Sequence, residues 1–127
     1  MIGKILIIVA IGIASQYGNG VSERVIHVRQ TKRVHAPLPL ELPVTNGYIA
    51  VKDCEHIGEV WYLRPIGGNK VESFLVIDCA GSTETIAWMN RNNILVEVDY
   101  NTAKRWNTVG RGIKIERIRY LERGVME

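Results

Sequence analysis

Residues 74–81 read FLVIDCAG. Four apolar residues run into a carboxylate, Asp78, and then a thiol, Cys79. An acid that ends an apolar strand lies at the rim of a packed sheet, partly shielded from water, a setting suited to general-acid work. The same place is where a chain often ends a strand with an Asp that hydrogen-bonds the next turn. Both readings stand on the residues alone. A two-carboxylate glycosidase needs a second acid roughly 5–10 Å away. Glu97 and Asp99 alternate onto one face of ILVEVDY (94–100), and Glu84 follows Asp78 closely. Their plain readings are a solvated strand face and a helix-cap acid. A lytic mechanism with one acid needs none of them.

Metal-capable residues are His27, His35, His56, Cys54 and Cys79. They form no C-x-x-C and no H-x-x-x-H spacing, so neither a metal nor another cofactor is expected. A Cys–His nucleophile pair fails if the two cysteines are bridged. Trp61 and Tyr62 offer flat faces that suit sugar C–H surfaces. They are adjacent on one strand and point to opposite sides, so at most one can face a groove. Trp88 and Trp106 read as core residues. Gly110-Arg111-Gly112 lacks the spacing of a phosphate loop and reads as a turn.

Short strands position these groups. YIAVKDC (48–54) is a strand, and EVWYLRP (59–65) and VESFLVID (71–78) form a hairpin around the turn IGGNK. The second hairpin strand becomes continuously apolar, as a strand covered on both faces does. GSTETIAWMNRNN (81–93) reads as a helix, with Ser82 or Thr83 as N-cap and Glu84 in its first turn. ILVEVDY alternates as a strand, and NTAKRWN (101–107) is a helical turn with Asn101 as its cap. IKIERIRYL (113–121) is the last strand, with Ile113, Ile115, Ile118 and Tyr120 inward if a bulge is allowed. The tail after Arg123 is expected to fray. Residues 15–47 read as an irregular wrap, with a short strand at RVIHV (24–28) and three prolines (37, 39, 43) that keep the rest extended. Six or seven short strands with two small helices fit a compact barrel better than a sandwich or a doubly wound sheet.

At 127 residues the chain is one domain with or without a targeting segment. The net charge of +3 suits an anionic partner, but basic residues are scattered and aromatics do not interleave with them, so no nucleic acid is expected. MIGK followed by ILIIVAIGIA has the form of an export signal ending at Ala14. The apolar run is too short to span a bilayer, so no stable membrane span is expected. A buried first strand is the competing reading. Two cysteines in an exported chain suggest one disulfide, Cys54–Cys79; two reduced core thiols would go with the other reading.

The pieces together resemble a known group of domains. GIASQYGNG resembles the G-x-A-S-x-Y-G opening of rare-lipoprotein-A-like domains. AVKDCEHIGEVWYLRP followed by FLVIDCAG resembles the Cys, Gly, V-x-D-C order of the barwin and expansin-like families. ETIAWMNRNNILVEVDY takes the place of their helix, and GRGIKIERI is similar to their closing strand. The resemblance implies a mainly β fold, a six-stranded double-psi β-barrel with one or two short helices. It implies an exported, secreted or extracytoplasmic monomer, with residues 1–14 as signal peptide and 15–127 as the domain. The implied partner is a cell-wall glycan or other polysaccharide. The implied activity is lytic transglycosylase-like cleavage or wall loosening, with Asp78 as the acid in an open groove. A non-catalytic glycan-binding module and an exported protein-interaction domain are the alternatives. Two departures stand out. VSERVIHVRQTKRV replaces the T-A-S-G-E tract after Y-G, and DCAG lacks the proline after the acid. There is also a conflict, because cleavage after Ala14 would trim a domain that opens at GIASQYG.

Overall fold

The computed structural model describes residues 3–122, and the tail expected to fray lies outside the described residues. Six strands close into a barrel: β1 (Lys4–Gln16), β2 (Gly47–Val51), β3 (Val60–Pro65), β4 (Glu72–Cys79), β5 (Ile94–Val98) and β6 (Ile113–Glu122). Round the barrel they run β1-β5-β2-β4-β3-β6. The pairs β1/β5 and β2/β4 are parallel, and the other four are antiparallel. Advancing every strand by three leaves this set of pairs unchanged. An up-and-down barrel has only sequential antiparallel neighbours, so this interleaved two-fold pairing with two parallel contacts is a different connectivity. Three α-helices decorate it, α1 (Val21–Thr31), α2 (Thr83–Arg91) and α3 (Tyr100–Arg105), with a 3₁₀ turn at Cys54–His56. That is one α-helix more than the sequence led us to expect.

Alternation fills the interior. Ile49, Val51, Phe74, Val76, Val96 and Val98 point inward and are at most 1% exposed. A second apolar cluster lies outside the barrel wall. Leu75 and Ile77 of β4 pack there beneath Val25 and Ile26 of α1 and against Leu38. This explains the continuous apolar run of β4, which is covered on both faces. Tyr120 departs from the expectation. It is exposed and meets Tyr62 edge-on across the outer surface.

Two local expectations are corrected. Residues 24–28 are helical, not a strand, and α1 occupies the stretch where VSERVIHVRQTKRV departs from the family pattern. Val21, Val25 and Val28 recur at helical spacing, Glu23 lies in the first turn and Arg29 in the last. The β-branched valines and isoleucine disguise this pattern, because they favour strands. The cap of α3 is Asp99 rather than Asn101. The Asp99 carboxylate accepts from the Thr102 amide (3.3 Å), the Thr102 hydroxyl (2.6 Å) and the Tyr48 amide (3.0 Å). Gly47 makes room for this junction. A Cβ there would overlap Thr102, Asp99 and Phe74.

The residues read as an export signal form most of β1. They pair with β6 from Lys4↔Glu122 to Ala14↔Ile113. Removal at Ala14 would abolish every one of these pairs and leave the barrel open between β5 and β6. A chain starting at Ser15 is therefore expected to lose its cooperative thermal unfolding by circular dichroism. A melt matching that of the full chain would show β1 to be dispensable.

The Cys54–Cys79 disulfide joins the turn after β2 to the end of β4 across 25 residues. A loop of that length restricts the unfolded chain by about 3–4 kcal/mol on the chain-entropy account. Replacing both cysteines with alanine is expected to lower the unfolding free energy in urea by about that amount. A change below ~1 kcal/mol would contradict this.

Candidate functional site

The site begins with an irregularity in β-pairing. On the parallel pair β2/β4, Ile49 is opposite Val76, but the next residue, Ala50, is opposite Asp78. Ile77 is the extra residue of a bulge. By strict alternation with Phe74 and Val76, Asp78 would point into the apolar interior. The bulge shifts it onto the outer face, which is how such insertions re-aim a side chain. There it joins a row across four strands. Ser15 of β1 pairs with Glu97 of β5, Glu97 with Ala50 of β2, and Ala50 with Asp78 of β4. Flanking residues Ala14, Ile49, Val51, Val96 and Val98 all face the core, so this row faces out.

Asp78 is held at both oxygens. The Tyr17 hydroxyl donates to Oδ2 at 2.7 Å, and Arg29 Nη2 donates to Oδ1 at 2.8 Å. Each partner is itself positioned by the fold. Tyr17 follows β1 directly, and its amide donates to the Val98 carbonyl. Arg29 sits in the last turn of α1, and its Nη1 donates to the carbonyls of His35 and Ala36. Both side chains of the Arg29–Asp78 pair are mostly buried, 14% and 25% exposed, so solvent screens it less than a surface pair. Burial, then the bond to Asp78, pushes the Tyr17 phenol well above its usual range, so Tyr17 stays a neutral donor.

Glu97 has a different environment. Burial, and secondarily the negative charge of Asp78, raises its carboxyl above the usual glutamate value. No cation pairs with it among the described residues. It lines a small cavity of about 110 Å³ with Tyr17, Ala50, Thr85 and Met89. Thus Asp78 is paired with a cation, whereas the neighbouring Glu97 has no cationic partner among the described residues and holds a proton more readily than an ordinary glutamate. Two carboxyl groups with opposed environments are the arrangement that assigns acid and counter-ion in carboxylate chemistry. The Ser15 hydroxyl, in the same row, is buried without a hydrogen-bond partner among the described residues.

The other sequence candidates lie elsewhere. Asp99 does not share a face with Glu97, because β5 ends at Val98 and Asp99 turns inward to cap α3. Trp61 is buried. Its indole donates to Glu59 at 3.0 Å, and the Arg117 guanidinium lies 3.5 Å from its ring centre, so it offers no free face. Tyr62 is exposed, but it pairs with Ser73 and Ile118 on the β3 side of the barrel, away from the Asp78 row. Cys54 and Cys79 are bridged beside Asp78 and are not available as nucleophiles. Asp53, Glu55 and His56 place ligand-type atoms within 4.8 Å of one another, yet His56 Nδ1 is taken by Glu59 at 3.0 Å. Ser15 and Tyr17 entered the sequence reading only as the Ser and Tyr of the family-like opening G-x-A-S-x-Y-G, and Arg29 was not proposed as a site residue.

No protein-family model, curated protein or solved structure matches this chain.

The raised Glu97 carboxyl fixes the sign of a pH effect. The folded chain holds this proton to higher pH than the unfolded chain. Folding therefore takes up a proton between the ordinary glutamate value and the raised one, and stability falls as pH rises through that interval. Glu97→Gln removes the loss. In urea unfolding the variant should gain on the wild type from pH 4 to pH 8, and a constant difference across that range would contradict the assignment.

Proposed function

We propose that the protein is a glycan-acting double-psi barrel of the rare-lipoprotein-A-like and barwin/expansin-like kind, working outside the cytoplasm on a cell-wall or related polysaccharide. The observation that carries this reading is the outward row holding Glu97 and Asp78 in opposed electrostatic environments. The order of sequence pieces that resembles those families supports the same reading, as does the disulfide beside the row.

In this reading Glu97, whose carboxyl is raised, takes the acid role expected of Asp78, which Arg29 pairs. Glu97 gives its proton to the glycosidic oxygen as the C–O bond breaks, and the leaving sugar departs as an alcohol. Positive charge develops on the remaining sugar carbon and is faced by the Asp78 carboxylate. A hydroxyl of the same sugar, or a water, then bonds to that carbon and returns its proton to Glu97. Tyr17 and Arg29 hold the Asp78 carboxylate in place. Proton transfer by a placed side chain contributes about 10²–10⁴-fold.

One observation favours a second reading. Both Asp78 oxygens are already satisfied within the protein, which suits a structural pair and a barrel that binds glycan without cutting it. Release of soluble fragments from purified cell wall separates the two. If the first reading holds, Glu97→Gln lowers release at least about 100-fold, while sedimentation with insoluble wall is retained. If the wild type releases nothing but sediments with wall, the binding module is the answer. If it does neither, the glycan reading falls and the protein-interaction domain remains.

A further inference from the structure

α1, the segment after it and Asp78 line an open cleft of about 620 Å³. Pockets of roughly 300–1,000 Å³ hold small organic ligands. Val21, Val25 and Val28 of α1 face Val34 across it. Val25 also meets the apolar cluster on β4, whereas Val28 is left 41% exposed. α1 thus carries more apolar surface than the barrel covers. The polar groups of the cleft are Arg24, Arg29, His35 and Asp78. Asp78 is paired with Arg29, and Arg24, which also lines the cleft, has no acidic partner among the described residues. The Arg29 Nη atoms hold Asp78, His35 and Ala36, and its Nε is shielded from water and so from anything in the cleft; Arg29 shapes the cleft wall, and Arg24 is the cation that a ligand can meet.

We infer that this cleft binds a small amphipathic anion, with an apolar body on the valines and an anionic head that faces Arg24. This rests on the α1 cleft alone and holds whether or not the protein acts on glycan. A flat sugar face would call for Trp or Tyr walls, and neither lines the cleft. A fatty carboxylate and an aromatic carboxylate share the required chemistry.

The test is a titration of the full chain followed by NMR, reading the valine methyl signals. The probes are decanoate below its micelle-forming concentration, 2-naphthoate, decanol and acetate. Decanoate or 2-naphthoate should shift the signals of Val21 and Val28 saturably, and which of them binds more tightly distinguishes a chain from a ring. Decanol, without charge, and acetate, without an apolar body, should each bind at least tenfold more weakly. Val28→Glu places a charge at an exposed position and should weaken the better probe at least fivefold, and Arg24→Gln should weaken it measurably. Equal binding of decanol, shifts spread over the surface outside the cleft, or undiminished binding by Val28→Glu would each overturn the inference. If Val28→Glu fails to fold, Arg24→Gln and the decanol comparison decide it.

Discussion

A half-buried carboxylate must find partners, and the region around the candidate site is built on that requirement. Asp78 is placed on the outer wall by one extra residue in β4, where apolar Ile77 and Leu75 are its neighbours. Left without donors there, it would carry a desolvation cost of several kcal/mol. Its two partners come from the end of β1 and the end of α1, which are remote in sequence. One group therefore ties together the first strand, the first helix and the fourth strand. Breaking one contact would leave the others mispositioned, because Arg29 also holds the carbonyls of the segment that follows α1.

The barrel makes this junction possible through its parallel pairs. β1 runs parallel to β5 and β4 parallel to β2, and the antiparallel β5/β2 pair overlaps only at its C-terminal residues, so the C-terminal ends of β1 and β4 come level on the wall from opposite directions, on either side of that overlap. Chains leaving those ends at Tyr17 and Cys79 run into α1 and α2, which flank the outward row. Placement on the outer wall gives side chains access to ligands while the interior stays apolar and rigid. The disulfide acts on the same end of β4, fixing Cys79 next to Asp78. The site is thus supported from three directions by groups with no direct part in chemistry.

Much of the fold was legible because it is written in local pattern. Period-two alternation in ILVEVDY, the glycine turn of the β3/β4 hairpin and Ser82 ahead of α2 all appear where their physics places them, and the Ser82 hydroxyl accepts from the Thr85 amide. α1 was hidden because its apolar positions are filled by β-branched residues and its N-cap is Gly20, which supplies no side-chain cap. Asp99 was misplaced for a related reason. Strand alternation extrapolated one residue too far put it beside Glu97, whereas the helix start it caps lies at that point.

The sequence alone determined that Asp78 ends an apolar strand, that two cysteines were available to bridge, and that the chain favours short strands over long helices. These follow from composition and nearest-neighbour spacing, which act along the chain. The tertiary structure decided which face Asp78 occupies, which carboxyl is its neighbour, and that residues 4–16 belong to the barrel. Those depend on register and on a bulge between strands about 30 residues apart. A one-residue shift in pairing moves a side chain from one face to the other without any local sign in the sequence.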